Sequence, residues 1–567
     1  MVFAMGGFLM PGRCVVPARS HALRMLAVGA AAVALQGCTT QGGGGGGGSP
    51  PPVTADAIVV HDITPDIAKV FTFKAVVDQI LLTAGQDRND ENRVALVKSM
   101  VDSFDKDSFT NPDSGLPMKV DKRPKEFALK PLELLDNDSP NGLIPIGFFN
   151  RMDLASETWS DCGEHRIVFA TKPTAGSDVR RFFLIFEAKL PNPSANPAPD
   201  PDPVKAMKGC EAVAKEWRAI GVDTNAKSRA ARLKKLYFDG LPGGFVPVVH
   251  HLNYGAQLGQ VRANLFSGFT KWQLREFRVL ANPSSGKLEF APGPVASNPL
   301  AEFYMDNPVG GAAEQAERTR FQQAFVAKYA ENLKHIDKNA PTNLSDAVFK
   351  QRLFNCMGAS IIQADNEFQS DSQGQLDVPF ELRGQTFRTK VVDWNSTPTG
   401  RKVTSEELFH RAGAITCGGC HQFSTGKALG STSGGAVNWP AAGPEPFIHV
   451  SENKGPDGKQ VLSTALTQEF IPHRRQVLEF ILAGKSPGQL CFKSDAAAAA
   501  ATFSSADVGA VGRAKADALT RQILQTGAGA SAASSIAASN ELKALSDRAH
   551  AIDQQTPGAV TPFRRPH

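Results

Sequence analysis

Residues Gly42 to Gly48 are seven consecutive glycines, followed by Ser49 and three prolines, Pro50 to Pro52, and no packed structure runs through such a stretch. Glycine loses more conformational freedom on ordering than any other residue, and the run has no apolar side chain to bury. Residues 38–56 therefore read as a flexible tether, and folding has to begin after it.

Upstream of the tether, Arg13, Arg19 and Arg24 precede an uncharged apolar stretch from Met25 to Leu35, which ends in Leu35-Gln36-Gly37-Cys38. At about 11 residues the stretch is too short to cross a bilayer, which takes roughly 20. It reads as a removable export signal over residues 1–37, with a small residue before Cys38 to admit the peptidase and a thiol to accept lipid. The competing reading is an ordinary signal with a chance cysteine. By resemblance to Gram-negative lipoproteins, Thr39 after the cysteine implies the outer membrane, facing the periplasm or the cell surface.

A chain of 567 residues exceeds the usual compact domain, so two globular units with extended ends are expected. Apolar residues make up 42% and charged residues 21%, and the formal charge is only +5. No basic run with interleaved aromatics occurs, which argues against nucleic acid as a partner. The expected fold class is α+β: a scaffold over 57–300 with antiparallel hairpins, a mainly helical unit over 301–495 that carries the chemistry, and a helical to disordered tail over 496–567.

The hairpins come from short apolar runs. Arg166–Ala170 and Arg181–Phe186 form the first pair, and Gln273–Leu280 with Lys287–Phe290 around Asn282-Pro-Ser-Ser-Gly286 form the second. The Pro-, Asn- and Asp-rich stretch Pro191 to Pro203 predicts an exposed loop, leading to a helix near Val204 to Ile220. Phe321, Phe325, Tyr329 and Leu333 recur four apart and predict a core-facing helical stripe.

Of the eight cysteines, Cys14 leaves with the signal and Cys38 takes lipid. Cys417 and Cys420 belong to the motif below, so Cys162, Cys210, Cys356 and Cys491 remain, an even number in an oxidising compartment. Proximity in sequence favours Cys162 with Cys210, and elimination then pairs Cys356 with Cys491. Three arrangements exist, and four free thiols are the other possibility.

Cys417-Gly418-Gly419-Cys420-His421 carries the chemistry. Two thiols three positions apart reach the two vinyl groups of one porphyrin, and the next residue presents imidazole to its iron. Thr404-Ser-Glu-Glu407 is a capping box, and Leu408, Ala412 and Ile415 share one face of the helix that it opens. The alternatives are a disulfide between Cys417 and Cys420 with His421 a bystander, a zinc site lacking a second C-x-x-C, and a thioredoxin-like motif lacking its βαβ setting.

The segment Glu406 to Gly430 resembles the haem-attachment segment of c-type cytochromes, in which a helix likewise runs into the motif. The longer pattern of Asn150-Arg-Met-Asp-Leu154, Cys162-Gly-Glu-His-Arg-Ile-Val-Phe169 and Trp272-Gln-Leu-Arg-Glu-Phe277 resembles bacterial lipoproteins that carry such a motif near their C-terminal ends. That resemblance implies a shared fold and brings no activity with it.

One haem c is the implied cofactor, with His421 as proximal ligand. No methionine follows Met357, which excludes the His/Met ligation of monohaem class I cytochromes from the C-terminal side. His449, in an apolar strand-like segment, is the first candidate for the distal position. His473, at a helix start where a surface role is expected, is the second. His165, His250 and His251 are accessory possibilities with a structural role as the simpler reading. Two histidine ligands would suit electron transfer with a partner protein, and an open position would suit a haem-dependent redox reaction, so whether the chain is an enzyme stays open. A binding or structural lipoprotein with a Cys417–Cys420 disulfide is the alternative from another class.

Overall fold

The computed structural model describes residues 51–110, 117–156, 158–173, 181–195, 199–255, 259–266, 272–295, 312, 346–356, 369–371, 403–414, 419, 424–441, 443, 448–487 and 490. In chain order these form β1 (Val59–Val60), α1 (Pro65–Val70), α2 (Phe73–Thr83), α3 (Asp90–Asp102), β2 (Ser108–Thr110), β3 (Pro117–Lys119), α4 (Pro124–Phe127), α5 (Pro131–Leu135), β4 (Leu143–Arg151), β5 (Asp161–Thr171) and β6 (Phe182–Pro191). There follow α6 (Pro203–Lys208), α7 (Glu211–Val222), α8 (Ala226–Lys234), β7 (Gly259–Phe266), β8 (Trp272–Ala281), β9 (Leu288–Gly293), α9 (Asp346–Gln351), β10 (Gln369–Asp371), α10 (Ser405–Ala414), β11 (Ala428–Thr432), β12 (Gly435–Asn438), β13 (Val450–Lys454), β14 (Gln460–Leu462) and α11 (Ile471–Leu482).

Both expected hairpins form. β5 pairs with β6, placing Ile167 opposite Phe186, and β8 pairs with β9, placing Ala281 opposite Leu288. In the turn of the second, Gly286 at φ +68° donates to the Asn282 carbonyl at 2.8 Å. They belong to one eight-stranded antiparallel sheet ordered β1-β4-β5-β6-β7-β8-β10. β9 and β10 share the outer edge of β8, against residues 276–281 and 273–275 respectively. The chain is therefore α+β.

Side chains alternate across a strand, so register decides what each face of the sheet carries. Ile167, Phe169, Leu184, Phe186, Val261 and Phe277 fall on one face and are buried. Helix α2 covers it with a stripe at the helical period, Phe73, Val76, Val77, Ile80 and Leu81, and Phe73 lies 5.8 Å from Phe169, ring to ring. Thr72 accepts from Ala75 N at 3.0 Å and starts that helix.

The opposite face carries a row of charge, buried except at the half-buried Arg278. Arg166 meets Glu164 at 2.6 Å and Glu187 at 3.1 Å, Arg262 meets Glu187 at 3.5 Å and Glu276 at 3.0 Å, and Arg278 meets Glu276 at 2.6 Å. Gln260 donates to Glu187 in the same row. Three arginines alternate with three glutamates, so no charge in the row faces only its own sign.

The helix expected near Val204 to Ile220 is two helices. The break falls at Gly209-Cys210, where Cys210 is joined to Cys162 as a disulfide with Cα atoms 5.4 Å apart. A Cβ on Gly209 would lie 2.3 Å from Asn192 Oδ1. Asn192 is itself buried, and its Nδ2 donates to the carbonyls of Trp159 at 2.7 Å and Ala206 at 3.0 Å, so the expected exposed loop is pinned at its start. Trp159, at φ +54°, is held in that conformation by the same contact and by its own N–H to Ser156 O at 2.9 Å.

Gly163, inside β5 at φ +82°, has Arg151 O only 2.4 Å from where a Cβ would sit. Gly163→Ala should cost about 3 kcal/mol, combining strain at positive φ with a clash against backbone. A urea midpoint within a few tenths molar of the parent's would refute this.

Candidate functional site

The capping box ahead of the C-x-x-C-H motif forms as the sequence implies; of the expected apolar face, the side chain of Ala412 and all of Ile415 lie outside the described residues. Thr404 N donates to Glu407 Oε2 at 2.8 Å and Glu407 N donates back to Thr404 Oγ1 at 3.1 Å, a reciprocal capping box that opens α10. Leu408 is buried on that helix. Two further side chains of α10 tie it to β11: His410 Nδ1 donates to Ala428 O at 2.7 Å, and Arg411, with no exposed surface, donates from Nε to Leu429 O at 2.6 Å.

Gly419 is the one motif residue among those described, and it is buried. Its carbonyl accepts from Trp439 Nε1 at 2.8 Å. Trp439 follows β12, its backbone N–H donating to Lys427 O at 2.8 Å, and its ring centre lies 6.0 Å from Phe354 and 5.7 Å from Phe470. A buried indole N–H needs an acceptor, and this one spends its bond on the middle of the motif. Cys417, Cys420 and His421 lie outside the described residues, as do Cys38, Cys491 and the Phe321–Leu333 stripe; of Cys356 only the backbone is described, closing a turn over Arg352–Cys356.

Trp439→Phe keeps the ring packing and removes the donor, leaving a buried carbonyl unbonded. The expected loss is about 1–2 kcal/mol in urea unfolding, and an unchanged midpoint would show the bond to be dispensable.

His449 stands directly before β13, as its strand-like setting implied. It is half-buried, its N–H bonded to Ser463 Oγ at 3.2 Å and its carbonyl accepting from Ser463 N at 3.0 Å. His473 is the third residue of α11, as expected, yet it is buried where a surface role was expected. The reason is its neighbour: α11 packs on the turn Met152–Leu154, bringing Arg474 Nε to 3.7 Å from Asp153 Oδ2. Arg151 grips the same carboxylate from Nε and Nη2, both at 2.9 Å. Burial pushes the Asp153 carboxyl up, but Arg151, Arg474 and His473 outweigh it and hold it well below the usual range.

Of the accessory candidates, His165 and His251 are buried and His250 is half-buried beside His251. His165 Nδ1 accepts from Trp217 Nε1 at 3.0 Å, which puts its proton on Nε2, and burial pushes its pKa down to about 3. His250 and His251 stack 4.8 Å apart; burial takes His250 down to about 4 and His251 well below the ordinary imidazole value. Among the described residues no three His, Cys, Asp or Glu side chains group as metal ligands, and no helix is long and apolar enough to cross a membrane.

Sequence reasoning missed Trp439, Arg411 and the Arg151–Asp153–Arg474 group. Each takes its meaning from a partner 18 or more positions away, or from another element, and leaves no periodic signal. Compared with known proteins, the chain matches no family model, no curated protein and no solved structure.

Proposed function

We propose that the chain is an exported lipoprotein anchored through Cys38, whose mainly helical, cytochrome c-like C-terminal unit carries one covalent c-type haem and serves periplasmic electron transfer or a haem-dependent redox step. The observation that supports this most is the order of donors in Cys417-Gly418-Gly419-Cys420-His421, set at the end of a capped helix with its central carbonyl bonded to a buried tryptophan. The donor set fits the group: two thiols for the vinyl carbons and one imidazole for the iron.

Bound haem would supply a one-electron iron couple whose potential follows its axial ligands. The chain's own residues do the rest. The Thr404–Glu407 cap fixes where α10 begins, Arg411 and His410 fasten it to β11, and Trp439 restrains Gly419, so the backbone between the two thiols is limited before any bond forms. His449 and then His473 remain the candidates for the distal position.

The test is a visible spectrum of the full chain, made with cytochrome c maturation machinery and recovered from washed membranes, after denaturation and reduction in alkaline pyridine. A c-type haemochrome band that stays with the polypeptide, and is lost in Cys417→Ala/Cys420→Ala, is the expected result. No band in the parent would defeat the haem assignment and leave the two thiols to a disulfide in a non-catalytic binding lipoprotein.

A further inference from the structure

We infer that Arg151, flanked by Arg474, forms a binding site for a carboxylate, namely a propionate of the porphyrin; this rests on the haem reading above. Arg151 ends β4 and is 1% exposed. Its guanidinium is a planar fork, and the edge formed by Nε and Nη2 is spent on Asp153. The remaining nitrogen, Nη1, points away from that carboxylate with two N–H groups, and it is buried with no hydrogen-bond partner. Buried donors in folded proteins are almost always satisfied, so an orphaned pair on a cation calls for an acceptor.

Charge and place then narrow the acceptor. Asp153 stands between two guanidinium groups, bonded to one and ion-paired to the other at 3.7 Å, with His473 within electrostatic reach. An anion with two coplanar oxygens suits what is left of such a fork. The Arg474 guanidinium lies 5.8 Å over the Phe470 ring, Phe470 lies 5.7 Å from Trp439, and Trp439 is bonded to Gly419. Arg474 is thus linked to Gly419 through Phe470 and Trp439, and Arg151 joins that line through Asp153. A porphyrin held through its vinyl carbons by Cys417 and Cys420 would carry its two propionates on the opposite edge of the macrocycle, and carboxylates taken out of water there would need donors. A free small carboxylate offers the same chemistry, and the experiment separates the two.

Resonance Raman spectra of the full-length ferrous holoprotein report hydrogen bonding at the propionates through their bending band. Arg151→Lys keeps the charge beside Asp153 but deletes Nη1, and it should move that band to lower frequency. Arg474→Lys should move it the same way. Arg229→Lys, at a buried arginine paired instead with Asp56 at 3.1 Å, should leave it in place. A band unmoved in folded Arg151→Lys overturns the inference. If neither lysine variant folds, the parent spectrum decides, since a band at the frequency of the unfolded holoprotein means an unbonded propionate and overturns it equally. In the haem-free Cys417→Ser/Cys420→Ser chain, a rise in Tm with added acetate that Arg151→Lys abolishes would assign the site to a free carboxylate instead. Absence of a haemochrome band in the parent is a different failure, that of the haem reading itself.

Discussion

Unfolding free energy falls by on the order of 5 kcal/mol as pH is lowered from 7 to about 4, the summed effect of imidazoles buried in their neutral form. Their folded values are depressed by burial, to about 3 for His165 and about 4 for His250, with His251 also well below the ordinary value. A depressed histidine binds its proton more readily in the unfolded chain. Its stabilisation is therefore complete above about pH 6.5 and is lost as pH falls toward the folded value. Asp153 does not share this window: its carboxyl is held low, so its contribution is lost only below the ordinary carboxylate value, near pH 4. Urea titrations at pH 7.5, 6, 5 and 4.5 measure the slope. His165→Gln, whose side-chain oxygen can still accept from Trp217 Nε1, should flatten it by about one proton. Stability that does not change between pH 7.5 and 4.5 would mean these rings are not buried as neutral groups.

Cys162→Ala/Cys210→Ala should destabilise the fold by about 4 kcal/mol, the value expected from freeing a loop of this length in the unfolded chain. The two cysteines are 48 positions apart, and neither exposes any surface. Cys162 is the second residue of β5, beside the register irregularity between Asp161 and Glu164, and Cys210 is the N-cap of α7, so the bond joins a helix to the strand that pairs with both β4 and β6. Alanine avoids burying a hydroxyl in place of sulfur, which keeps the comparison to the crosslink itself. The parent refolded in reductant should match the double variant's urea midpoint. A midpoint equal to that of the oxidised parent would show that this connection does little for the fold.

What the sequence disclosed and what it withheld follow from the range of the interactions. The strands of both hairpins carry their own signal, apolar runs on either side of a turn, and the capping box is complete within four residues, Thr404 to Glu407. The split between α6 and α7 is not local: it depends on Cys210 meeting Cys162 and on Asn192 filling the space beside Gly209. β1 and β10, of two and three residues, exist because β4 and β8 offer them open edges. At the candidate site the thiols and imidazole were legible as a spacing. The indole behind them was not, because nothing near Trp439 in sequence announces a bond to Gly419. Burial of His473 was hidden for the same reason, since it comes from α11 packing on the turn Met152–Leu154, more than 300 positions earlier in the chain, where Arg474 reaches Asp153.

The alternating arginines and glutamates on the sheet also act as a proofreading device during assembly. Sliding β6 by one residue along β5 would take Glu187 from opposite Arg166 and turn it toward the phenylalanines that pack on α2. The same slip would set Phe186 among arginines. An uncompensated charge in that interior costs several kcal/mol, far more than a mispaired strand recovers from its backbone bonds. Six charged side chains, contributing little net stability in the correct arrangement, therefore make the neighbouring registers of a long antiparallel sheet inaccessible.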